Sequence, residues 1–191
     1  MRIKTYTRHL LAAIVVAVPI AAAGVASAQT PLTLTGTASV QGPTGSGSRP
    51  VTIRIDKFVP DAERDALIAV IKAGKPADTL KALTAKPDIG YVDAGGGTKT
   101  PIKFAYARST GDGRLITFVT AQPLAFLNPG AAAKAKEGFT LALGLLVLTS
   151  QNTGDGELSP AAKVRIDDKG AVVTEEYSAE VVRLLKIAPV K

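Results

Sequence analysis

The chain has 191 residues, of which 46% are hydrophobic, with a formal net charge of +7 and no cysteine. A chain of this size fits one domain that buries a core without disulfides, and the lack of cysteine excludes thiol chemistry. Both signs of charge are spread along the sequence, which is typical of an ordinary solvated surface.

The first 28 residues have the pattern of a secretory signal peptide. A basic start at positions 2–8 is followed by the apolar run Leu10–Ala23 and by the small residues Ala26–Ala28. The run is about 14 residues long, shorter than the ~20 that a membrane-spanning helix needs. We therefore expect cleavage after Ala28, a mature chain in the periplasm or outside the cell, and no stable membrane anchor.

The predicted cleavage changes which chemistry is available. It removes His9, the only histidine, and three basic residues, leaving 20 basic against 16 acidic residues, a net charge of +4. A chain without histidine excludes Ser-His-Asp catalysis and histidine-ligated metal sites. The eight remaining aromatic residues are too few for a stacking platform, so no nucleic acid partner is expected. The sequence predicts no metal and no cofactor.

The first half of the mature chain predicts two strands and then two helices. Thr33–Val40 is a Thr-rich strand, Gln41–Pro50 is a turn-rich loop, and Val51–Asp56 alternates apolar and polar residues with period two. A helix at Pro60–Gly74 has proline and acids in its first turn, and a second short helix spans Pro76–Pro87.

Four lysines in this helical region form the densest positive stretch, with only Asp78 opposing them. They are Lys72, Lys75, Lys81 and Lys86. The stretch is interpreted as the solvated face of two helices, with contact to an acidic polymer or anionic lipid as the alternative.

From Thr100 onward the sequence predicts β-structure almost throughout. Gly111-Asp112-Gly113 indicates a hairpin, Phe139–Val147 is a strand with a bulge or bend at Gly144, and Asn152–Gly156 is a turn. Val181–Ile187 alternates loosely, so a short helix is the alternative to a last strand. The prediction is one α+β domain over 29–191, with two short helices followed by an antiparallel meander that forms a curved sheet or a partly closed barrel.

The candidate contact for a ligand or partner is the apolar segment Pro123–Leu127. Its large residues Leu124, Phe126 and Leu127 lie in a region that otherwise reads as irregular. They either fold back as a lid over the open end of the sheet or form an exposed contact for an apolar ligand or a partner.

Other polar segments do not fit a known site. Asp93–Thr100 is rich in glycine but lacks the Gly-Lys-Ser/Thr order of a phosphate loop, so we interpret it as a connector. Asn152–Glu157 lacks the acidic spacing of a calcium loop. Neighbouring acids such as Glu175-Glu176 point to opposite faces of a strand, so they do not form a catalytic pair directly.

Some segments resemble those of small exported bacterial proteins to which no function is assigned. The resemblance rests on Val51–Arg64, Asp88–Tyr91, Pro123–Phe126 and the turn-and-strand pattern after Phe139. It implies a common fold and export, and it carries over no functional residue.

Three functions are compatible with these patterns. The first is a non-enzymatic exported binding module that holds a small apolar ligand or a protein segment. The second is a structural or interaction protein of the cell envelope. The third, a carboxylate-dependent hydrolase, requires two acids about 5 to 10 Å apart in a cleft. We therefore expect the partner to be a small apolar ligand or an envelope protein.

Overall fold

The structure is a computed structural model that describes residues 31–42, 45–124, 139–167, 172–176 and 182–190. The predicted signal peptide and two of the predicted contact residues, Phe126 and Leu127, lie outside these ranges. In chain order the elements are β1 (Leu32–Gly42), β2 (Gly45–Ile55), α1 (Asp61–Lys72), α2 (Pro76–Thr84), β3 (Gly90–Asp93), β4 (Lys99–Thr110), β5 (Gly113–Thr120), β6 (Leu141–Thr149), β7 (Gly154–Ile166), β8 (Val172–Glu176) and β9 (Val182–Pro189).

Eight strands form a closed barrel. They neighbour each other in the order β6-β5-β4-β3-β2-β1-β9-β7, and pairing of β6 with β7 joins the two ends. The described strand pairs are antiparallel, and β8 extends the sheet beside β7. Closure pairs the eight barrel strands on both sides, whereas β8 pairs only with β7 among the described strands.

The prediction of two short helices with a mostly antiparallel sheet is confirmed, although the protein is mainly β. Two details were wrong. The sheet closes completely, and it is not formed only by the strands after the helices, because the two strands predicted before the helices belong to it and β1 pairs with the last strand, β9. This contact between the first and last described strands is non-local, so no short sequence window contains it.

Apolar side chains fill the interior of the barrel. Side chains alternate between the two faces of a strand, and several strands have a set of fully buried side chains on their inner face. That set includes Leu34, Ile53, Ile102, Ile116, Phe118, Leu146, Leu158 and Leu184. Eight-stranded barrels enclose either side chains alone or one small ligand. Here the Phe118 ring lies over Gly144, where a Cβ atom would be 2.0 Å from the Phe118 Cζ atom.

Helices α1 and α2 form a hairpin that contacts β4, β7 and β8. Helix α1 has Asp61 and Glu63 in its first turn and Lys72 in its last, which matches the helix dipole. Leu67 and Ile71 lie four residues apart and bury one face of the helix.

The helical hairpin is placed where the barrel has buried residues on its outer face. Phe104 and Val119 oppose each other on β4 and β5, on the face away from Phe118, and Val119 in turn opposes Leu143 on β6. Phe104 and Val119 are each only 6% exposed and belong to the same apolar cluster as Leu67 of α1. The barrel therefore has a second apolar layer outside it.

The loop predicted at Gln41–Pro50 is wrong for most of its length. Strand β2 starts at Gly45, and Gly45–Pro50 pairs with Thr37–Gly42 of β1 without a register shift. The turn-forming residues are accommodated because a continuous ladder satisfies the backbone of both strands. The sequence also did not predict β3, whose four residues join β2 to β4.

The bulge or bend predicted at Gly144 is wrong as well. The β5–β6 register runs through Gly144 unbroken, and the irregularity of β6 lies between Leu141 and Leu143 where it faces β7. Gly144 instead leaves room for the Phe118 ring. At the end of the chain β9 is a strand, so the alternative of a short helix at Val181–Ile187 is also wrong.

Candidate binding site at one end of the barrel

The predicted contact segment lies partly within the described chain. Leu124 is 3% exposed, and its backbone N–H donates to the Pro160 carbonyl oxygen at 2.8 Å. Leu124 therefore packs into the core next to β7. Because Phe126 and Leu127 lie outside the described residues, a ligand or partner contact in this segment stays a prediction.

In the glycine-rich connector between β3 and β4, backbone amides donate hydrogen bonds to a side chain of the same segment. The Asp93 carboxylate accepts from the Gly95 N–H at 3.0 Å and from the Gly97 N–H at 3.2 Å. A phosphate loop would direct such amides at a ligand, whereas here they close a turn on an aspartate. This geometry agrees with the interpretation of the segment as a connector.

A polar depression of about 590 Å³ lies at one end of the barrel, between the β4–β5 turn and the β6–β7 turn. Its described lining consists of Ser109, Gly111, Asp112, Gly113, Arg114, Thr149, Ser150 and Asn152. This volume is within the range of small-molecule sites in proteins.

Arg114 reaches this depression from the buried face of β5. Arg114, Ile116 and Phe118 are two residues apart on a strand whose register with β6 is unbroken, so their side chains share the inner face of the barrel. Ile116 and Phe118 are fully buried, and Arg114 is the last residue of this inner row before the hairpin turn. An arginine thus closes the apolar interior at this end.

The Arg114 guanidinium is half-buried and has few partners. Its Nη2 donates to the Asn152 side-chain oxygen, and its Cζ lies 5.6 Å from the centroid of the Phe58 ring. Its Nε is buried and has no hydrogen-bond partner, and no acidic residue in the described ranges forms an ion pair with it. Burial lowers the pKa of Arg114 from its ordinary value, because loss of water disfavours the charged form.

Backbone hydrogen bonds hold the two turns together around this arginine. The Ser150 N–H donates to the Asp112 carbonyl oxygen at 2.9 Å and so connects the β6–β7 turn to the β4–β5 turn. The Asn152 N–H donates to the Thr149 carbonyl oxygen at 2.9 Å, and Asn152 has the left-handed φ of 61° that asparagine tolerates. The side-chain oxygen beside Arg114 is therefore fixed by its backbone.

This arrangement is suited to binding an anion. A guanidinium offers five N–H donors in a planar fork, and Arg114 uses one of its groups for a neutral amide oxygen. The Asn152 side-chain oxygen accepts a hydrogen bond from Arg114, so it is not available as a calcium ligand. Within the described ranges no group of three or more acidic residues, histidines or cysteines could hold a metal ion.

Arg114 was not predicted from the sequence, although the sequence contains a signal for it. Directly after the Gly111-Asp112-Gly113 hairpin, Arg114 occupies the same period-two positions as Ile116 and Phe118. A charged residue whose side chain lies on the buried face of a strand needs a partner or a function. The pattern makes Arg114 a candidate, and the structure adds that no acidic residue in the described ranges forms an ion pair with it.

A second polar cluster attaches α1 to the outside of the barrel. The Tyr106 hydroxyl donates to the Asp61 Oδ1 at 2.7 Å, and the Arg64 guanidinium lies 4.8 Å from the centre of the Tyr106 ring. Arg64 also pairs with Asp61 and Asp65 at 3.0 and 2.8 Å. Because each of these charged groups has a partner, the cluster is interpreted as an anchor for the helix.

Replacing Tyr106 with phenylalanine is expected to lower the free energy of unfolding by about 1–2 kcal/mol, because two partly exposed hydrogen bonds are lost, one donated to Asp61 and one accepted from Arg64. Burial and then the bond to Asp61 raise the pKa of Tyr106 above its ordinary value. The contribution of this tyrosine is therefore complete below pH of about 10 and is lost as the pH rises through the raised pKa. Urea unfolding between neutral and alkaline pH measures both effects.

Tyr91→Phe is the matched control for this variant. The Tyr91 ring packs beneath Lys99, whose Nζ lies 4.6 Å from the ring centroid, and its hydroxyl has no hydrogen bond within the described residues. We expect this control to unfold like the parent protein. A Tyr106→Phe variant as stable as the control would contradict the anchor.

No helix in the described ranges is long and apolar enough to cross a membrane. Comparisons with protein-family models, with curated proteins and with solved structures find no match. The class of this protein is therefore given by its own fold, a closed eight-stranded antiparallel barrel with an outer helical hairpin.

Proposed function

We propose that this protein is an exported, non-enzymatic binding module that holds a small ligand in the depression around Arg114. The observation that carries the proposal is the half-buried guanidinium that lines the depression without an acidic partner in the described ranges, and whose buried Nε has no hydrogen-bond partner there. An unsatisfied buried donor costs about 1–3 kcal/mol. Proteins keep such costs mainly where a ligand or a function requires the group.

The location of the ligand follows from what fills the barrel. The sequence alone favours a small apolar ligand, for which the barrel interior would be the natural place. Phe118, Ile116 and Leu146 are all fully buried there, so an internal ligand would have to displace them. The depression at the barrel end is open to solvent and polar, and the proposal therefore places the ligand there.

Export is the second part of the proposal, and it rests on the first 28 residues of the sequence. Exported proteins can use disulfides, but this chain has no cysteine. Its stability therefore depends on packing and on the backbone pairing of the closed barrel. The predicted mature chain contains neither histidine nor cysteine, which favours binding over nucleophilic catalysis.

Native mass spectrometry of the protein purified from the envelope of its own host tests the proposal. We expect a polypeptide that starts at Gln29, carrying a small molecule that is released on denaturation. A chain that retains residues 1–28 would contradict export. A mature chain that carries no small molecule and takes none up from an envelope extract would contradict the binding module.

The second candidate, an interaction protein, is favoured by exposed apolar side chains on the outer face. Val147 on β6 is 58% exposed and Leu185 on β9 is 38% exposed, with Asp155 of β7 between them. Single exposed apolar residues are common on soluble proteins. A second polypeptide in the same native spectrum, lost in a Val147→Lys variant, would support this candidate over the first.

A further inference from the structure

We propose that the ligand of the Arg114 depression is a small hydroxylated carboxylate, such as a hydroxy acid or a sugar acid. The Arg114 guanidinium would bind the carboxylate, and the hydroxyl groups of the turns would bind the hydroxyls of the ligand. This inference rests on the proposed function, since it names the ligand class of the same site.

The charge of Arg114 is not balanced by an acidic residue in the described ranges. The side-chain ion pairs seen between described residues involve other basic residues, including Arg54, Arg64, Lys86 and Lys103. Arg114 is half-buried and has only the neutral oxygen of Asn152 as a hydrogen-bond partner there. A carboxylate fits the planar fork of a guanidinium with two parallel hydrogen bonds.

The charge of the depression favours a carboxylate over a phosphate group as its ligand. Asp112 also lines the depression and places a negative charge at its rim. Like charges repel, and a phosphate monoester carries close to two negative charges at neutral pH whereas a carboxylate carries one. The site therefore suits a monoanion.

Serine hydroxyl groups line the depression beside the arginine. Ser109 lies directly opposite Arg114 in the β4–β5 pair, and Ser150 lies in the facing turn. Both side chains are exposed and make no hydrogen bond within the described residues. Thr149 differs, because its hydroxyl oxygen is 2.9 Å from that of Thr153. Two free hydroxyls beside a cation are complementary to a carboxylate that also carries hydroxyl groups.

The Arg114 guanidinium and the two turns around it are held in place before a ligand binds. The Phe58 ring covers the guanidinium, and the Ser150–Asp112 backbone bond fixes the distance between the turns. A preformed site loses little conformational entropy on binding. The depression therefore needs no rearrangement of its turns.

Calorimetric titration of the purified protein with three probes tests this inference. D-Glucuronate has both a carboxylate and hydroxyls, D-glucose has the same ring without the carboxylate, and acetate has the carboxylate without the hydroxyls. We expect glucuronate to bind at least about tenfold more tightly than either, since glucose lacks the charged partner for Arg114 and acetate lacks the hydroxyls that the two serines would bind.

Three variants test whether glucuronate binds in the depression. Arg114→Lys keeps the charge but loses the fork, and we expect glucuronate affinity to fall at least about tenfold. Asp112→Asn removes the rim charge and is expected to raise the affinity about two- to fivefold. Arg108→Gln removes a positive charge at the same barrel end, from an exposed side chain outside the described lining, and should leave affinity unchanged.

The outcomes separate this inference from the proposed function. Equal binding of glucuronate and glucose, or full affinity in a correctly folded Arg114→Lys variant, would overturn the carboxylate ligand. If none of the probes binds while native mass spectrometry still shows a bound small molecule, the ligand class is wrong and the binding function stands. Because Asp112 is exposed, Asp112→Asn should fold, so an unchanged affinity in that variant counts against the inference even if Arg114→Lys misfolds.

Discussion

A Gly144→Ala variant is expected to lose about 2–3 kcal/mol of unfolding free energy, which is at the upper part of the usual range for overpacking a core. A Cβ atom at this position would be 2.0 Å from the Phe118 Cζ and 2.3 Å from the Cε1. The Phe118 ring is fully buried among the interior residues, and the two positions are directly opposed on β5 and β6. The ring therefore has no free volume into which to move.

A double-mutant cycle shows whether this contact is the cause. Phe118→Leu removes ring atoms from the space above Gly144, so Gly144→Ala should cost much less in the Phe118→Leu background. We expect a coupling energy of about 1–3 kcal/mol, the usual range for residues in contact. Guanidinium unfolding of the four proteins measures it. Strictly additive effects would contradict the packing that we describe.

Gly96→Ala is the control for the general cost of removing a glycine. Nothing lies within 4 Å of the Cβ position of Gly96, and its φ is outside the left-handed region. Alanine there should be neutral or slightly stabilising, because it restricts the unfolded chain. The contrast between the two alanine variants isolates the effect of the aromatic ring.

The sequence predicted those parts of the fold that are fixed by local patterns. The alternation of Val51, Ile53 and Ile55 and the hairpin at Gly111–Gly113 are confirmed, since period-two burial and turn chemistry act over a few residues. Closure depends on β9, which pairs with both β1 and β7. Pairings between distant segments leave no local pattern, so the sequence favoured a curved sheet or a partly closed barrel.

The candidate site was harder to predict for a related reason. The sequence directed attention to the apolar residues Leu124, Phe126 and Leu127, because large apolar side chains in an irregular segment are unusual. Arg114 stands out only after the strand parity and the absence of a described acidic partner are considered together. A lone arginine after a turn otherwise resembles any surface charge.

A Gly90→Ala variant is expected to be the most damaging glycine substitution, with a loss of about 3 kcal/mol or more. Gly90 has a φ of +148°, where non-glycine residues are strained by about 1–3 kcal/mol. A Cβ atom there would also lie 1.9 Å from the Arg54 carbonyl oxygen and 3.0 Å from the Ile55 Cα. Both obstacles are backbone atoms, so a change of side-chain rotamer cannot relieve the clash.

The position of Gly90 connects this stability effect to the proposed site. Gly90 pairs with Ile55 at the base of the helical hairpin, where the Asp56 N–H donates to the Ile89 carbonyl oxygen at 2.8 Å. The chain then passes through Phe58, whose ring covers the Arg114 guanidinium. Displacing this base should shift Phe58, so Gly90→Ala should also weaken glucuronate binding under conditions in which the protein remains folded.

Gly74→Ala separates strain from steric clash. Gly74 also has a left-handed backbone, with φ of +78°, but nothing lies within 4 Å of its Cβ position at the end of α1. Alanine there should cost only about 1 kcal/mol and leave ligand binding unchanged. Thermal and denaturant unfolding together with titration measure both variants. Equal costs at the two positions would show that backbone strain alone explains Gly90. Unchanged glucuronate binding by folded Gly90→Ala would show that the β2–β3 junction does not hold Phe58 over Arg114.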